Sequence, residues 1–126
     1  MLSQKYRFHG HGSLRYLYRN GGTVRNRSLL LKYVENKHRA NSRIAVVVGK
    51  KVAKSAVTRN RIRRRVFEII RKHLPNIKSH HDLSLTVFTA EFATLPFKDL
   101  EQDIITLLSQ AHLYTKPQPT SVPEDK

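Results

Sequence analysis

The chain has 126 residues, the size of one ordinary domain, and 24 Lys and Arg against 9 Asp and Glu give it a formal net charge of +15. This surplus indicates a polyanionic partner, with nucleic acid as the first candidate and an anionic membrane surface as the rival. The absence of cysteine excludes disulfides, thiolate metal sites and a cysteine nucleophile. Because neither a membrane-spanning run nor the apolar centre of a signal peptide is visible, we expect a cytoplasmic protein.

The charge is unevenly distributed along the chain. Residues 1–72 contain 20 basic and 2 acidic residues, a net charge of +18, whereas residues 73–126 contain 4 basic and 7 acidic residues, a net charge of −3. Like charges repel one another in a small fold, so their concentration in one half favours a surface built to meet phosphates.

A short helix is predicted near the N-terminus. Ser13 can cap it, Leu14, Leu17 and Tyr18 share one face, and Gly21 ends it.

Three apolar runs predict strands. Residues 28–34 (SLLLKYV) and 44–48 (IAVVV) are short and apolar, and the polar segment NKHRANS between them suits a hairpin loop. Residues 83–89 (LSLTVFT) alternate as in a half-exposed strand.

Residues 58–72, TRNRIRRRVFEIIRK, predict an amphipathic helix that ends before Pro75. Its apolar arc consists of Ile62, Val66, Phe67, Ile69, Ile70 and Leu74, and its cationic arc of Arg61, Arg64, Arg65, Arg71 and Lys72. Arg59 and Arg63 border the apolar arc, so they either extend from the edge of the core to solvent or point into a cleft beside it.

The cationic arc favours nucleic acid over other interpretations. A face that only keeps a helix in solution mixes charges of both signs, but Glu68 is the one acid among these cations. Arginine predominates over lysine, and its planar guanidinium matches phosphates and stacks on bases, which favours nucleic acid over a lipid surface.

A second long helix is predicted from Pro96, with Asp99 and Glu101 near its positive N-terminal end and an apolar stripe on one face. Residues 116–126 are rich in proline and poor in apolar residues, so we expect a disordered tail after a single domain of residues 1–115. The order of elements indicates an α+β protein in which helices pack on a small sheet.

The stretch GKKVAKSAVTRNRIRRRVFEIIR, residues 49–71, resembles the signature of the bacterial ribonuclease P protein component. The resemblance implies a two-layer α/β sandwich of order αβββαβα, with a mostly antiparallel sheet and a left-handed crossover that carries the R-N-R helix. It also implies a protein that binds a catalytic RNA, which cuts the 5′ leader from precursor tRNA. In that family the RNA supplies the active site with Mg²⁺, so this chain is expected to carry no catalytic residue.

The resemblance and the helical wheel together predict two sets of site residues. The RNA-binding set is Lys50, Lys51, Lys54, Arg59, Asn60, Arg61, Arg63, Arg64 and Arg65. The set in or near the leader-binding cleft is Leu14, Tyr18, Tyr33 and Val46. Tyr18 is either a platform for base stacking or a residue that closes the core from the first helix. Where the family usually has another arginine, this chain has Phe67.

The expected partners are the ribonuclease P RNA subunit and precursor tRNA, with no membrane and no additional protein partner required. The alternative function is a non-catalytic RNA-binding module such as a ribosomal protein or an RNA chaperone. A DNA-binding protein is a weaker alternative, because the basic helix needs its apolar arc for its own core. His80 and His81 predict a loop rather than a zinc site, no protein metal ligand is assigned, and Mg²⁺ is expected mainly on RNA phosphates.

Overall fold

The computed structural model describes residues 11–36 and 42–115, with side chains from Tyr16 onward. Its elements are α1 (His11–Asn20), β1 (Gly22–Arg25), β2 (Leu29–Glu35), β3 (Arg43–Val48), α2 (Ala56–His73), β4 (His81–Val87) and α3 (Phe97–Gln110). Short 3-10 turns follow α2 and precede α3. The predicted α+β order, αβββαβα, is confirmed.

The four strands form one mixed sheet in the order β1-β2-β4-β3. The pairs β1–β2 and β2–β4 are antiparallel, whereas β3 and β4 are parallel, so the chain crosses over through α2 between them. The predicted hairpin between β2 and β3 is wrong, because β4 lies between these strands and pairs with both. A polar loop between two apolar runs suits a hairpin as far as local sequence is concerned. Whether a third strand, here β4, lies between the two runs is decided by long-range pairing. Residues 37–41 of that loop lie outside the described residues.

One face of the sheet packs against α2 and α3 and forms the main core. Alternate strand residues point to this face, as the pleat requires. They are Leu29 and Leu31 of β2, Ile44, Val46 and Val48 of β3, and Leu83, Leu85 and Val87 of β4, all buried in one hydrophobic cluster. The predicted alternation in residues 83–89 is therefore confirmed, but the predicted half-exposed strand is wrong. Strand β4 is central in the sheet, and Ser84 on its other face is also fully buried.

Helix α1 lies on the opposite face of the sheet, which we call the α1 face. The hydroxyl of Tyr18 lies 3.0 Å from Oγ of Ser84, which alternates with the core residues of β4. Leu17 is fully buried but does not belong to the main core cluster. A Cβ on Gly21 would lie 2.6 Å from the carbonyl oxygens of both Leu17 and Tyr33, so glycine permits this close approach of α1 to β2.

Helix α2 is held by its apolar arc, as predicted. Ser55 caps its N-terminus, with the Ser55 hydroxyl accepting a hydrogen bond from the Thr58 amide at 3.4 Å. The buried residues are Ile62, Val66, Phe67, Ile69 and Ile70. Phe67 is only 6% exposed, so the residue that departs from the family pattern belongs to the core.

Candidate nucleic-acid interface

The outer side of α2 presents two arginines that have no partner among the described residues. Arg61 and Arg64 are exposed, and neither forms a hydrogen bond or an ion pair with any residue in the described ranges. Asn60 is exposed beside them, and its side-chain oxygen accepts a hydrogen bond from Nη1 of Arg63 at 2.6 Å. As far as the described ranges extend, Arg61 and Arg64 therefore keep all their donors available for an external acceptor.

Arg59 connects α2 to the basic loop, residues 49–54. Its Nη1 donates to the carbonyl oxygens of Ala53 and Lys54, each at 2.9 Å. Lys50, Lys51 and Lys54 are exposed on this loop. Arg59 thereby holds the loop against the start of α2, with its lysines beside the exposed arginines of the helix.

Arg65 was predicted to face outward with the other cations, but it is half-buried and turned towards the protein. Its Nη1 donates to the carbonyl oxygen of Phe92 at 2.7 Å, and its Nη2 donates to the carbonyl oxygen of Leu95. The outward position is wrong because the segment before α3 packs along this flank of α2. A helical wheel contains no information about that neighbour.

Two other cations at the end of α2 are paired with acids. Nη2 of Arg71 lies 2.7 Å from Oε1 of Glu68, and its hydrogen bond holds the pKa of the Glu68 carboxyl below the usual value. Nζ of Lys72 lies 2.8 Å from Oε2 of Glu101 in α3. Among the described residues, the unpaired positive charge of α2 therefore lies around Arg61 and Arg64, closer to the middle of the helix than to its end.

The α1 face forms the second candidate surface. Tyr18 lies on it and is 44% exposed, although its hydroxyl contacts the fully buried Ser84. Val47 of β3 pairs with Thr86 and is 39% exposed, so the β3 side of this face is open. An exposed aromatic ring thus borders an uncovered part of the sheet.

Two residues predicted for the leader-binding cleft point to the other side of the sheet. Val46 belongs to the main core, and Tyr33 packs against that core from its edge. Val47 and Lys32 instead occupy the α1 face, because neighbouring strand residues point to opposite faces. The assignment of Tyr33 and Val46 to a cleft with Tyr18 is therefore wrong. Leu14 lies in α1, and its side chain is outside the described part of the structure.

Sequence reasoning also missed an aromatic–cation pair on the α1 face. The guanidinium carbon of Arg25 lies 5.6 Å from the ring centroid of Phe88, which is 42% exposed. Phe88 directly follows β4, and its amide donates to the Ser28 carbonyl at 2.9 Å, so the strand alternation continues to it. The alternation in LSLTVFT could have indicated this pair, because Phe88 alternates with the core residues of β4 and lies on the same face as Ser84 and Thr86.

The described residues bring no three His, Asp or Glu side chains together as a metal site. Within the same ranges, no helix combines the length and the apolar character needed to cross a membrane.

These features define the class of a small basic α+β protein with two surfaces suited to nucleic acid. The sequence pattern of the family described as Ribonuclease P matches residues 2–112. The chain belongs to this family.

Curated relatives support the same assignment. The ribonuclease P protein component of Syntrophomonas wolfei is 32% identical over 116 residues, which cover 92% of this chain and 95% of the relative. The protein of the same name from Clostridium botulinum (strain Loch Maree / Type A3) is 40% identical over 103 residues, covering 79% of this chain and 88% of the relative.

Solved structures show the same fold. The Staphylococcus aureus RNase P protein superposes with a TM-score of 0.76 at 23% identity, covering 86% of this chain and 97% of that protein. The RNase P protein from Thermotoga maritima gives a TM-score of 0.74 at 22% identity, covering 82% and 96%.

Proposed function

We propose that this chain binds the catalytic RNA of ribonuclease P through the outer side of α2 and the basic loop, and holds the 5′ leader of precursor tRNA on the α1 face. In this role it promotes removal of the leader, while the cleavage chemistry stays on the RNA. The observation that carries the proposal is the pair of exposed arginines, Arg61 and Arg64, which have no partner in the described residues and stand beside the loop lysines.

The two surfaces suit different parts of an RNA. Guanidinium groups bind phosphates of a folded RNA in a bidentate manner, which suits a fixed helix face. An exposed aromatic ring on an open sheet suits unpaired bases, because every base offers a flat face for stacking. The α2 surface and the α1 face lie on opposite sides of the sheet, so the chain can contact both RNA partners at once.

Magnesium is assigned to RNA phosphates in this proposal. Mg²⁺ prefers oxygen ligands and keeps several waters, and it is commonly bound through phosphates rather than by a dedicated protein site. Exposed arginines lower the repulsion between phosphates and thereby reduce the amount of Mg²⁺ that the RNA needs for folding and substrate binding.

The test is reconstitution with the cognate RNA subunit over a range of Mg²⁺ concentrations. We expect the protein to lower the Mg²⁺ requirement for precursor cleavage, and the protein alone to cleave nothing. The double variant Arg61→Ala/Arg64→Ala should lose most of this effect. Arg71→Ala is the matched control, because Arg71 is an exposed arginine on the same helix that is already paired with Glu68.

Two outcomes would contradict the proposal. Metal-dependent cleavage by the purified protein alone would place the cleavage chemistry on the protein instead of on the RNA. Co-purification of ribosomal RNA or of a random RNA mixture, rather than one dominant folded RNA, would favour a ribosomal protein or an RNA chaperone.

A further inference from the structure

We propose that Phe88 and Arg25 form a second base-stacking position on the α1 face, so that an unpaired RNA strand passes from Tyr18 along β4 to Phe88. This inference rests on the proposed binding of single-stranded RNA and specifies where a second base is held. We call the pair the Phe88 platform.

The ring of Phe88 is exposed although Phe88 directly follows a largely buried strand. Val87 is buried in the core, whereas Phe88 is 42% exposed on the opposite side of the strand. Burial of a phenyl ring is favourable, but the main core does not bury this ring. Arg25 lies over the ring at 5.6 Å from its centroid and gives it a cationic neighbour on the same face of the sheet.

The chemistry of this pair suits a nucleobase. An aromatic ring stacks on any base, and a guanidinium can stack on a base or bind the adjoining phosphate. The parallel register places Val48 beside Val87, so the basic loop leaves β3 at the level of Phe88. The exposed Lys50 and Lys51 begin that loop, so this end of the platform adjoins the surface proposed for the catalytic RNA.

The platform is separate from Tyr18 but lies in line with it. The Tyr18 hydroxyl contacts Ser84, and Phe88 follows four residues later, about 13 Å further along the strand direction. The side chain between them on this face is Thr86, whose neighbour Val47 is open to solvent. A strand of RNA can thus pass from Tyr18 over the partly exposed Thr86 and the exposed Val47 to Phe88, with an aromatic ring at each end.

A direct test uses tryptophan fluorescence, because the chain contains no tryptophan. In Phe88→Trp, short unpaired oligoadenylate should quench the new fluorophore as a base stacks on it. Phe97→Trp is the matched control, since Phe97 is also 42% exposed and has Lys72 5.9 Å from its ring centroid, but begins α3 away from the platform. Quenching at residue 97 equal to that at residue 88, or none at residue 88, overturns the proposal.

A second test separates this inference from the proposed function. Binding of precursor tRNA to the reconstituted holoenzyme is measured with a long leader and with a leader truncated to a few nucleotides. Phe88→Ala should weaken binding of the long-leader substrate about tenfold and leave the truncated substrate unchanged. Phe88→Tyr should retain binding, and Phe97→Ala should bind both substrates as the wild type does.

The outcomes are distinguishable. If the wild type prefers the long leader but Phe88→Ala behaves identically to it, the platform is wrong and the leader-binding function stands. If the wild type shows no dependence on the leader, the leader assignment itself fails, and the fluorescence of Phe88→Trp still decides whether the platform stacks a base. Thermal unfolding of each variant checks that its fold is intact.

Discussion

The arginines of α2 carry the same charge but differ in what their guanidinium groups contact. Arg61 and Arg64 contact no acceptor in the described residues, whereas Arg59 and Arg65 donate to backbone carbonyl groups of neighbouring segments. A guanidinium has five donors in a fixed plane, so one residue can hold two carbonyl groups of a neighbouring segment. Charge alone therefore does not identify an RNA contact.

Replacement of Arg65 by alanine should reduce stability more than RNA binding. The carbonyl oxygens of Phe92 and Leu95 lose a charged donor, which we expect to lower the free energy of unfolding by about 1–3 kcal/mol. Arg61→Ala is the control and should change the free energy of unfolding by less than about 0.5 kcal/mol while weakening RNA binding. Urea unfolding and a binding titration on both variants measure the two effects. A stability loss from Arg61→Ala as large as that from Arg65→Ala would contradict these roles.

The two neighbouring valines of β3 should respond differently to the same substitution. Val46→Thr places a hydroxyl among the apolar side chains of the main core and should destabilise the fold by about 1–3 kcal/mol, because transfer of a hydroxyl from water to an apolar environment is unfavourable. Val47→Thr changes an exposed residue of the α1 face and should leave stability nearly unchanged. Chemical unfolding measures the free energy of unfolding of both variants, and the near-identical shapes of valine and threonine keep the comparison to polarity. A greater loss at residue 47 would mean that the faces of β3 are assigned in reverse.

At the scale of elements, the end of α2 is joined to α3 and to the segment after it. Nε2 of His73 lies 2.7 Å from Oε2 of Glu101, and Nδ1 of His73 lies 3.0 Å from the hydroxyl of Tyr114. Lys72 contacts the same Glu101 oxygen. Tyr114 also forms an isolated bridge with Ile77, so the chain after α3 is fixed beside the end of α2. This cluster keeps the core side of α2 in place while its outer side remains open.

Glu101 should make the stability of this junction depend on pH. Burial raises the pKa of its carboxyl, but hydrogen bonds from Lys72 and His73 outweigh that effect and hold the pKa below the ordinary value of 4.5. A carboxyl with a lowered pKa in the folded state stabilises the protein above its unfolded pKa, and this contribution is lost as the pH falls through the folded pKa.

Glu101→Gln should therefore lower the free energy of unfolding by about 1–3 kcal/mol at neutral pH. The difference from the wild type should shrink as the pH falls below 4.5 and through the lowered pKa of the wild-type carboxyl, because that carboxyl then also gains a proton. Urea unfolding at a series of pH values from neutral downward measures the difference, and Gln102→Glu, at a neighbouring exposed site, tests for a general charge effect. A difference that is constant with pH would show that the carboxylate charge is not responsible.

At the scale of the whole molecule, the +18 charge of residues 1–72 should make RNA binding strongly dependent on salt. Each phosphate contact that is removed should lower the slope of log K against log salt by about 1. For Arg61→Ala/Arg64→Ala we expect a reduction of about 2. Arg71→Ala should change the slope much less, because Glu68 already neutralises Arg71. Titrations at several salt concentrations measure the slopes, and equal reductions in both variants would contradict a localised binding surface.

Predictions from the sequence were most successful where a local apolar pattern matches the side of the element that is buried in the fold. The apolar arc of α2 was predicted from its period, and the inclusion of Phe67 in that arc is confirmed by its burial. It failed for β3, because IAVVV is apolar at every position and contains no alternation that assigns a face. The face of Val46 is decided by its pairing with Leu85 of β4, a residue about forty positions further along the chain.

The sequence by itself determined the class of fold, the amphipathic basic helix and the polyanionic partner. These follow from composition and from periods of a few residues, which act through the chain's own backbone geometry. Only the tertiary structure decided the strand order, the face on which each strand residue lies, and which arginines of α2 bind to another described segment. Those properties depend on contacts between distant segments, such as Arg65 with Phe92 and Arg25 with Phe88. The physical reason is that a side chain's partner is set by long-range packing, whereas its charge and its place on a helix are set locally.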